Sequence, residues 1–439
     1  MGSYYALEFV SGETRQLFFS NKGLPPSELM TLFRPCDRAY PSFPSGAEDD
    51  DEPYIPCHAY QVPVPRLVER LEIMGFTVAS VKRDLDRHLK AELRELDRRI
   101  EVQSDPENQS TPGALRKLEH RRRLLQHFTL ERWAAAIRRL RTVGTLHRYD
   151  VRKPYKRLAP LQRYILNTDE DWEWYEFGLP VSDLRYLVRA LLLCARTDEQ
   201  VFLDLSELVV AGYIEEDEQP VAEATAEAIR LGRVCEKILV LTEGRTDTRI
   251  LAKTLAVLFP HLADMYSFLD HEAFHFGGGT GSLASLVKGL AGVGIGNRVI
   301  AVFDNDTAGA IQADEVRRLK PPDNFRILTL PDLKLARRYP TLGPNGALPT
   351  DINGSACSIE LYLGRDALTG EDGTLVPVQW KGYEARLRRY QGELSDKKAV
   401  EQRFLNALDT PGRLDDANLE AIRAVLHMVF TAFADKGAI

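Results

Sequence analysis

The chain has 439 residues, 44% of them hydrophobic, which is enough for about two or three domains with cores of their own and excludes a single small binding module. Its five cysteines are odd in number, scattered and never spaced as a zinc pair, which indicates reduced thiols. The formal net charge is −7, no run of about 18 apolar residues occurs, and the first residues lack the features of a signal peptide, so we expect a cytoplasmic protein with no membrane segment.

The first part of the chain predicts a small β-rich element followed by a helical domain. In residues 1–58, apolar and polar residues alternate in YYALEFV and RQLFF, and the loop-like stretch PSFPSGAEDDDEP follows. In residues 59–235, apolar residues recur at three- and four-residue spacing in segments such as RLVERLEIMGF and LERWAAAIRRLRTV. No zinc-finger or other compact motif interrupts this pattern.

A basic segment lies inside the predicted helical domain. From Arg116 to Leu158 there are 14 Lys and Arg residues against three acidic residues, in a chain that is acidic as a whole. Such a local excess of positive charge is typical of a surface that contacts nucleic-acid phosphates. A long amphipathic helix with a solvated arginine face is the alternative interpretation.

From residue 236 onward the pattern changes to alternating strands and helices. The apolar strands KILVLTEG, YSFLD, NRVIAVFDND and FRILTL are separated by helical segments, which predicts a mostly parallel sheet covered on both faces. We assign residues 236–365 to this α/β domain. Residues 366–439 form a mixed extension that ends in a helix, LEAIRAVLHMVFTAF.

Acidic residues follow two of the predicted strands. Glu243 follows ILVLT, while Asp304 and Asp306 follow VIAVF at a spacing of two, which places both side chains on one side of an extended chain. The carboxyl ends of parallel strands meet at one edge of a sheet, so we expect the three carboxylates to converge there. Because they repel each other unless a cation is present, they predict a site for Mg²⁺ or Mn²⁺.

The motifs LTEGRTD and VFDND resemble the Toprim domain shared by topoisomerases, bacterial primases and nucleases of the overcoming-lysogenization-defect type, over about residues 236–335. The resemblance implies that Glu243 is a metal ligand and acid/base residue and that Asp304 and Asp306 are metal ligands. Asp247 matches a second acidic residue of the nuclease branch. Its alternative role is to accept hydrogen bonds from backbone N–H groups at a helix start.

Three further features remain open between a functional and a structural role. Glu360 in SACSIELYL resembles an element that follows the core in the nuclease branch and could serve a second metal, or it could be a plain surface or first-turn glutamate. Lys397 could neutralise charge during phosphoryl transfer, or it could form a solvated pair with Lys398. The glycine-rich loop at residues 276–283 could bind a phosphate or form a tight turn.

The N-terminal segments MGSYYALEFVSGETRQLFFS, ELMTLFRPCDR and RLVERLEIMGFTV resemble the start of bacterial HEPN/Toprim-associated proteins, which are used in anti-phage systems. HEPN ribonucleases cut RNA without a metal through an Arg and a following His that are separated by four to six residues. Candidate pairs in this chain are Arg83 with His88, Arg122 with His127, and Arg141 with His147. With so many arginines in this region such spacings arise by chance, so we expect the helical domain to act as a scaffold, sensor or nucleic-acid clamp.

Among the reactions catalysed by Toprim proteins, hydrolysis requires the fewest additional domains. None of the 16 tyrosines lies in a recognisable DNA-gate domain, and the cysteine spacing excludes the zinc module expected of a primase. We therefore predict a Mg²⁺- or Mn²⁺-dependent endonuclease acting on DNA or RNA, as a homo-oligomer or with a defence-system partner subunit. The alternatives are a metal-independent HEPN-type ribonuclease and a non-catalytic sensor or binding subunit.

Overall fold

A computed structural model describes residues 4–12, 14–39, 58–105, 113–142, 158–166, 176–215, 218–230, 237–269, 277–343, 346–410 and 412–434. The chain divides into two compact units, the first comprising Met1–Val234 with Ala434–Ile439 and the second Cys235–Phe433. The division falls where the hydrophobic pattern changes from helices to alternating strands and helices. Within the described ranges, no helix has the length and apolar character needed to span a membrane.

The first unit contains a five-stranded antiparallel sheet. Its strands are β1 Tyr4–Ser11, β2 Thr14–Lys22, β3 Arg38–Ala39, β4 Ala59–Pro63 and β5 Gln200–Asp204. The spatial order is β2-β1-β5-β4-β3, so β5 joins the N-terminal hairpin to β4. The helical prediction for residues 59–235 missed β4 and β5, because the short buried run of β5 has no period that distinguishes it from a buried helical turn.

Most helices of the first unit follow the predicted amphipathic segments, whereas the short helices α1, α6 and α8 were not predicted. They are α1 Ser27–Met30, α2 Val64–Met74, α3 Val78–Ser104, α4 Ala114–Gln126, α5 Leu130–Thr142, α6 Pro160–Ile165, α7 Leu184–Leu192, α8 Ser206–Val210 and α9 Pro220–Arg230. The fully buried Trp133 of α5 donates its indole N–H to the Phe177 carbonyl at 2.9 Å. Its ring fills the core while its polar atom remains paired, as a buried tryptophan requires.

The described part of the basic segment uses several arginines for packing. Arg121 pairs with Glu92 at 2.7 Å, Arg141 pairs with Glu199 at 2.6 Å, and Arg122 pairs with Asp97. These contacts connect α4 and α5 to neighbouring parts of their own unit. Residues 143–157 lie outside the described residues, and nucleic-acid binding by the segment stays a prediction.

The second unit is built on a four-stranded parallel sheet, which confirms the parallel sheet predicted from the sequence. Its strands have the spatial order β10-β8-β6-β7, and β8 is buried along its whole length. The elements are β6 Ile238–Leu241, β7 Tyr266–Phe268, β8 Val299–Phe303, the short β9 Asn305–Asp306 and β10 Phe325–Thr329, with helices α10 Arg245–Leu258, α11 Thr280–Val293 and α12 Thr307–Arg318.

A second four-stranded sheet follows the parallel sheet in the chain. Its order is β12-β11-β14-β15, while β13 pairs antiparallel with β9. The elements are β11 Tyr339–Gly343, β12 Gly346–Thr350, β13 Ala356–Cys357, β14 Val378–Glu384 and β15 Arg389–Leu394, with helices α13 Arg365–Leu368, α14 Lys397–Leu408 and α15 Asp416–Phe430. The pairing of β13 with β9 brings this region against the end of β8, where Asp304 and Asp306 lie.

Candidate functional site

Glu243 and Asp304 lie beside each other at the carboxyl edge of the parallel sheet. Glu243 follows β6 by two residues and Asp304 directly follows β8, the neighbouring strand. The Asp304 backbone N–H donates to Glu243 Oε1 at 3.0 Å. The two sequence motifs therefore meet although 61 residues separate them.

Asp306 is fixed by two hydrogen bonds at the start of α12. Its Oδ1 accepts the Gly309 backbone N–H at 2.7 Å, and its Oδ2 accepts the Gln391 side-chain N–H at 2.7 Å. A Cβ atom at Gly309 would lie 2.3 Å from the Asp304 carbonyl oxygen. Glycine is therefore required for the first turn of α12 to pack against the Asp304 backbone.

Asp247 lies in the first turn of α10. Its Oδ2 accepts the Gly244 backbone N–H at 2.9 Å, which is the helix-start contact that the structural interpretation requires. The residue thus stands close to Glu243 in the chain and is oriented by its own helix.

Glu360 lies in the first turn of a short 3-10 helix and is only 3% exposed, so it is a first-turn glutamate but not a surface one. Its Oε2 accepts the Ser358 hydroxyl at 2.5 Å and lies 3.9 Å from Lys397 Nζ. Lys397 Nζ is also 3.7 Å from the carboxylate of Glu393. Lys397 begins α14 and is half-buried, whereas its neighbour Lys398 is exposed.

Two ion pairs hold α14 against α10. Arg249 pairs with the buried Glu401, and Lys253 Nζ lies 2.6 Å from Asp409 Oδ2. The packing of α14 on α10 places the amino end of α14, with Lys397, on the side of the sheet where α10 begins.

The carboxylates of the site have perturbed pKa values. Burial raises the pKa of Glu243 to about 8, with added repulsion from Asp306 and Asp247. Burial and repulsion from Glu360 raise the pKa of Asp247 to about 7, and burial with the surrounding carboxylates raises the pKa of Asp304 well above its ordinary value. Ionising each of these acids in the folded protein therefore costs extra free energy. A nearby cation would offset this cost.

Lys397 is a counter-charge to these acids. Burial alone would lower the pKa of its ammonium group, but the carboxylates of Glu360, Asp304, Glu393 and Asp247 raise the pKa above its ordinary value. The lysine is therefore held in its charged form. One positive charge leaves most of the repulsion among the acids uncompensated.

The donor atoms of the site fit a hard divalent cation in chemical type, since all are carboxylate oxygens. In the part of the chain that the structure describes, no three His, Cys, Asp or Glu side chains are already arranged to hold a metal ion together. In their present positions, Glu243, Asp247 and Asp306 instead accept hydrogen bonds from backbone N–H groups. The role of these residues as metal ligands stays a prediction.

The comparison with known families concerns the first unit. The family model of the HEPN/Toprim N-terminal domain 1 matches residues 1–226, just over half of the 439 residues. The chain belongs to this HEPN/Toprim family. No curated protein and no solved structure matches it. The predicted relation to HEPN/Toprim-associated proteins is confirmed, whereas the likeness to nucleases of the overcoming-lysogenization-defect type stays a prediction.

The candidate HEPN pairs lie within the HEPN/Toprim N-terminal domain. The ring of His88 contacts the backbone carbonyl of Asp84 through Nδ1 at 2.9 Å, and Arg83 lies on the same helix. Arg122 is engaged by Asp97, while His127 is exposed at the end of α4. The third pair cannot be placed, because His147 lies outside the described residues.

The sequence analysis of this HEPN/Toprim chain missed two residues that support the carboxylates. Gln391 donates to Asp306, and its Oε1 accepts the Ala308 backbone N–H at 3.0 Å. Ser358 donates to Glu360. Neither residue belongs to a sequence motif that identifies it. Gln391 is 85 residues from Asp306 in the chain, so no local pattern connects the two.

The glycine-rich loop lies against the turn that carries Glu243. The Gly279 N–H donates to the Glu243 backbone carbonyl at 2.6 Å, and Gly279 has a φ of +102°. This conformation is the tight turn that one interpretation predicted, since side chains disfavour it. Phosphate binding by the loop stays a prediction.

Replacing Gln391 by Leu should lower the nuclease activity predicted from the sequence about 10- to 100-fold, because partners that orient a metal ligand are worth that much in comparable sites. The substitution removes the hydrogen bonds that hold Asp306 Oδ2 and the first turn of α12. Initial rates of plasmid cleavage would measure the effect. Gln402→Leu on the exposed face of α14 is the control, and equal rates for both variants would contradict a positioning role for Gln391.

Proposed function

We propose that this protein is a divalent-metal-dependent endonuclease whose catalytic unit, residues 235–433, contains a Toprim domain of the nuclease branch over residues 236–365. The observation that carries the proposal is the hydrogen bond from the Asp304 N–H to the Glu243 carboxylate, which joins the two acidic motifs at the carboxyl edge of a parallel sheet. Ligand sites of open parallel sheets are built at this edge.

The proposed roles follow from position and charge. Glu243, with a pKa of about 8, can hold or release a proton near neutral pH, which suits a general acid or base at a phosphodiester. Asp304 and Asp306 would hold the catalytic cation together with Glu243, and Asp247 and Glu360 would extend the set towards a second cation. When bound, Mg²⁺ or Mn²⁺ stabilises charge on the phosphate and lowers the pKa of water.

Lys397 has a separate role in this proposal. Its ammonium group stays charged beside Glu360 and is half-buried at the start of α14. A fixed positive charge at this position would stabilise the negative charge that develops on the scissile phosphate. Lys398, which is exposed, has no such contact with Glu360 among those described.

The cellular context is part of the proposal. Membership of the HEPN/Toprim family supports a role in cytoplasmic anti-phage defence, with nucleic acid as the substrate and a second copy or a defence subunit as a partner. The basic segment of the first unit would add backbone contacts, so binding should weaken as salt rises. This segment would act as a nucleic-acid clamp in support of the catalytic unit.

The test is incubation of purified wild-type and Glu243→Gln protein with plasmid DNA and with total tRNA, each in Mg²⁺, Mn²⁺ or EDTA. We expect metal-dependent cutting of at least one substrate and its loss in the variant. Cleavage of RNA that persists in EDTA and in the variant would instead assign the chemistry to the HEPN-like unit. Binding without cleavage in every condition would favour a sensor subunit.

A further inference from the structure

The hairpin of β14 and β15 exposes a cluster of aromatic rings. Tyr383 and Tyr390 face each other across the two strands, with ring centroids 5.1 Å apart, and each is 56% exposed. The ring of Trp380 extends the cluster at 6.0 Å from Tyr390. Three neighbouring rings on a surface hairpin need an explanation, since large aromatic side chains are normally buried.

The base of this aromatic cluster is packed into the fold. A Cβ atom at Gly392 would lie 2.8 Å from atoms of Ala356 and Val378 and 3.1 Å from the Trp380 ring, so these groups close tightly over the glycine. Val378 and Leu394, a cross-strand pair, are buried. The cluster is therefore supported by the core at one end and open to solvent at its Tyr383 end.

The hairpin also carries positive charge. Between Lys381 and Tyr390, the sequence KGYEARLRRY contains four basic residues and one acidic residue. Arg386 and Arg388 lie in the turn, next to the exposed tyrosines, and both are exposed. Aromatic rings flanked by arginines form a surface that suits bases and phosphates together.

Hydrogen bonds connect the hairpin to the acidic site. The Thr307 hydroxyl donates to the Tyr390 carbonyl at 2.9 Å, and the adjacent Gln391 bonds both Asp306 and the Ala308 N–H. The aromatic cluster thus begins one residue from a side chain that holds Asp306. Because successive side chains of a strand point to opposite faces, the rings lie on one face of the hairpin and Gln391 holds Asp306 from the other.

We propose that the hairpin of β14 and β15, which is joined to the acidic site through Thr307 and Gln391, binds a single-stranded stretch of nucleic acid by stacking bases on Tyr383, Tyr390 and Trp380. The inference rests on the proposed nuclease function and specifies its substrate. The faces of bases in a duplex are covered by their neighbours, so exposed rings can stack only on unpaired bases. The exposed arginines of the turn supply contacts to the phosphates of the same strand.

The experiment measures fluorescence anisotropy of labelled oligonucleotides of about 20 nucleotides in EDTA, where metal-dependent cleavage is blocked. Single-stranded DNA, single-stranded RNA and duplex DNA are compared with wild-type protein and the double variant Tyr383→Ala/Tyr390→Ala. We expect the variant to bind single strands about tenfold or more weakly, because stacking on each ring contributes about that factor. Duplex affinity should change less than about threefold.

Two matched variants separate stacking from damage to the fold. Tyr383→Phe/Tyr390→Phe keeps both rings and should bind single strands like the wild type. Tyr213→Ala removes a tyrosine that is 60% exposed in the first unit and should also leave single-strand binding unchanged.

A third variant tests the phosphate contacts. Arg386→Gln/Arg388→Gln should reduce the salt dependence of binding, by a log–log slope of about 0.7 for each phosphate that an arginine no longer neutralises.

The outcomes distinguish this inference from the nuclease proposal. Unchanged single-strand binding by the alanine variant, or an equal loss on duplex DNA, would overturn the hairpin's role while Glu243-dependent cleavage could still be observed. Selective loss of single-strand binding, rescued by phenylalanine, would support the role even if neither DNA nor tRNA were cut.

Discussion

Replacing Asp304 by Asn should abolish cleavage and at the same time stabilise the metal-free protein. The Asp304 carboxyl follows the fully buried strand β8, and burial together with Asp247, Glu243, Asp306 and Glu360 raises its pKa well above the ordinary value. An amide of the same shape avoids both the burial of a charge and the repulsion. A carboxylate that lowers the stability of the metal-free protein indicates a functional role, because only a bound cation offsets its cost to folding.

The substitution should lower the cleavage rate and raise the free energy of unfolding. Cleavage should fall by about three orders of magnitude, since loss of cation-dependent stabilisation costs several kcal/mol of transition-state free energy. The free energy of unfolding in EDTA should rise by about 1 kcal/mol or more, which corresponds to about 2–4 °C in Tm for a unit of this size. Supercoiled-plasmid cleavage and thermal melting in EDTA measure the two effects.

Asp314→Asn on α12 is the matched control. Asp314 is exposed and pairs with Arg317 at 3.1 Å, so its loss should change stability by less than about 0.5 kcal/mol and leave cleavage intact. Destabilisation of the Asp304→Asn protein in EDTA would show that the carboxylate makes a structural contribution instead. Retained cleavage would remove Asp304 from the reaction.

Part of the site could be predicted because strand ends are readable from sequence. The runs ILVLT and VIAVF identify buried strands, and the rule that parallel strands end at one edge predicts the convergence of Glu243 with Asp304. The hydrogen bond between these two residues is consistent with that prediction. The same reasoning predicted the parallel sheet, because the alternation of strands and helices leaves few other topologies.

The contacts that the sequence did not reveal depend on distant parts of the chain. Glu360 is buried because a short 3-10 helix packs it beside Ser358 and Lys397, and nothing in SIELY distinguishes it from a surface residue. Gln391 reaches Asp306 only because β13 pairs with β9 and β15 lies alongside. Such positions follow from tertiary packing, which local periodicity does not encode.

The first unit shows the same limit of prediction from local periodicity. Its helices could be predicted from their period, but β5 could not, and this strand is the one that joins the N-terminal hairpin to β4. The family match spans residues 1–226, whereas the acidic site lies in residues 235–433. Membership of the family and the chemistry of the site therefore rest on different parts of the molecule.

The stability of the metal-free protein should fall as the pH rises from about 4 to about 8. The pKa values of Glu243, about 8, and Asp247, about 7, are raised mainly by burial above the values these groups have in an unfolded chain. The folded state therefore binds more protons, so the contribution of these groups is fully present below about pH 4 and is lost as pH passes their folded pKa values. The loss is on the order of several kcal/mol.

Urea unfolding in EDTA at pH 5 and pH 8 measures this dependence, and the double variant Glu243→Gln/Asp247→Asn isolates it from the other titrating groups. The wild type should lose more stability than the variant over this range, since the variant's amides do not titrate. Added Mg²⁺ should restore the wild type at pH 8 and leave the variant unchanged, because a cation that binds the ionised folded site shifts the unfolding equilibrium by mass action. If the free energy of unfolding changes with pH equally in both proteins, these carboxyls ionise as readily in the folded chain as in the unfolded one. The electrostatic argument for a cation site would then fail.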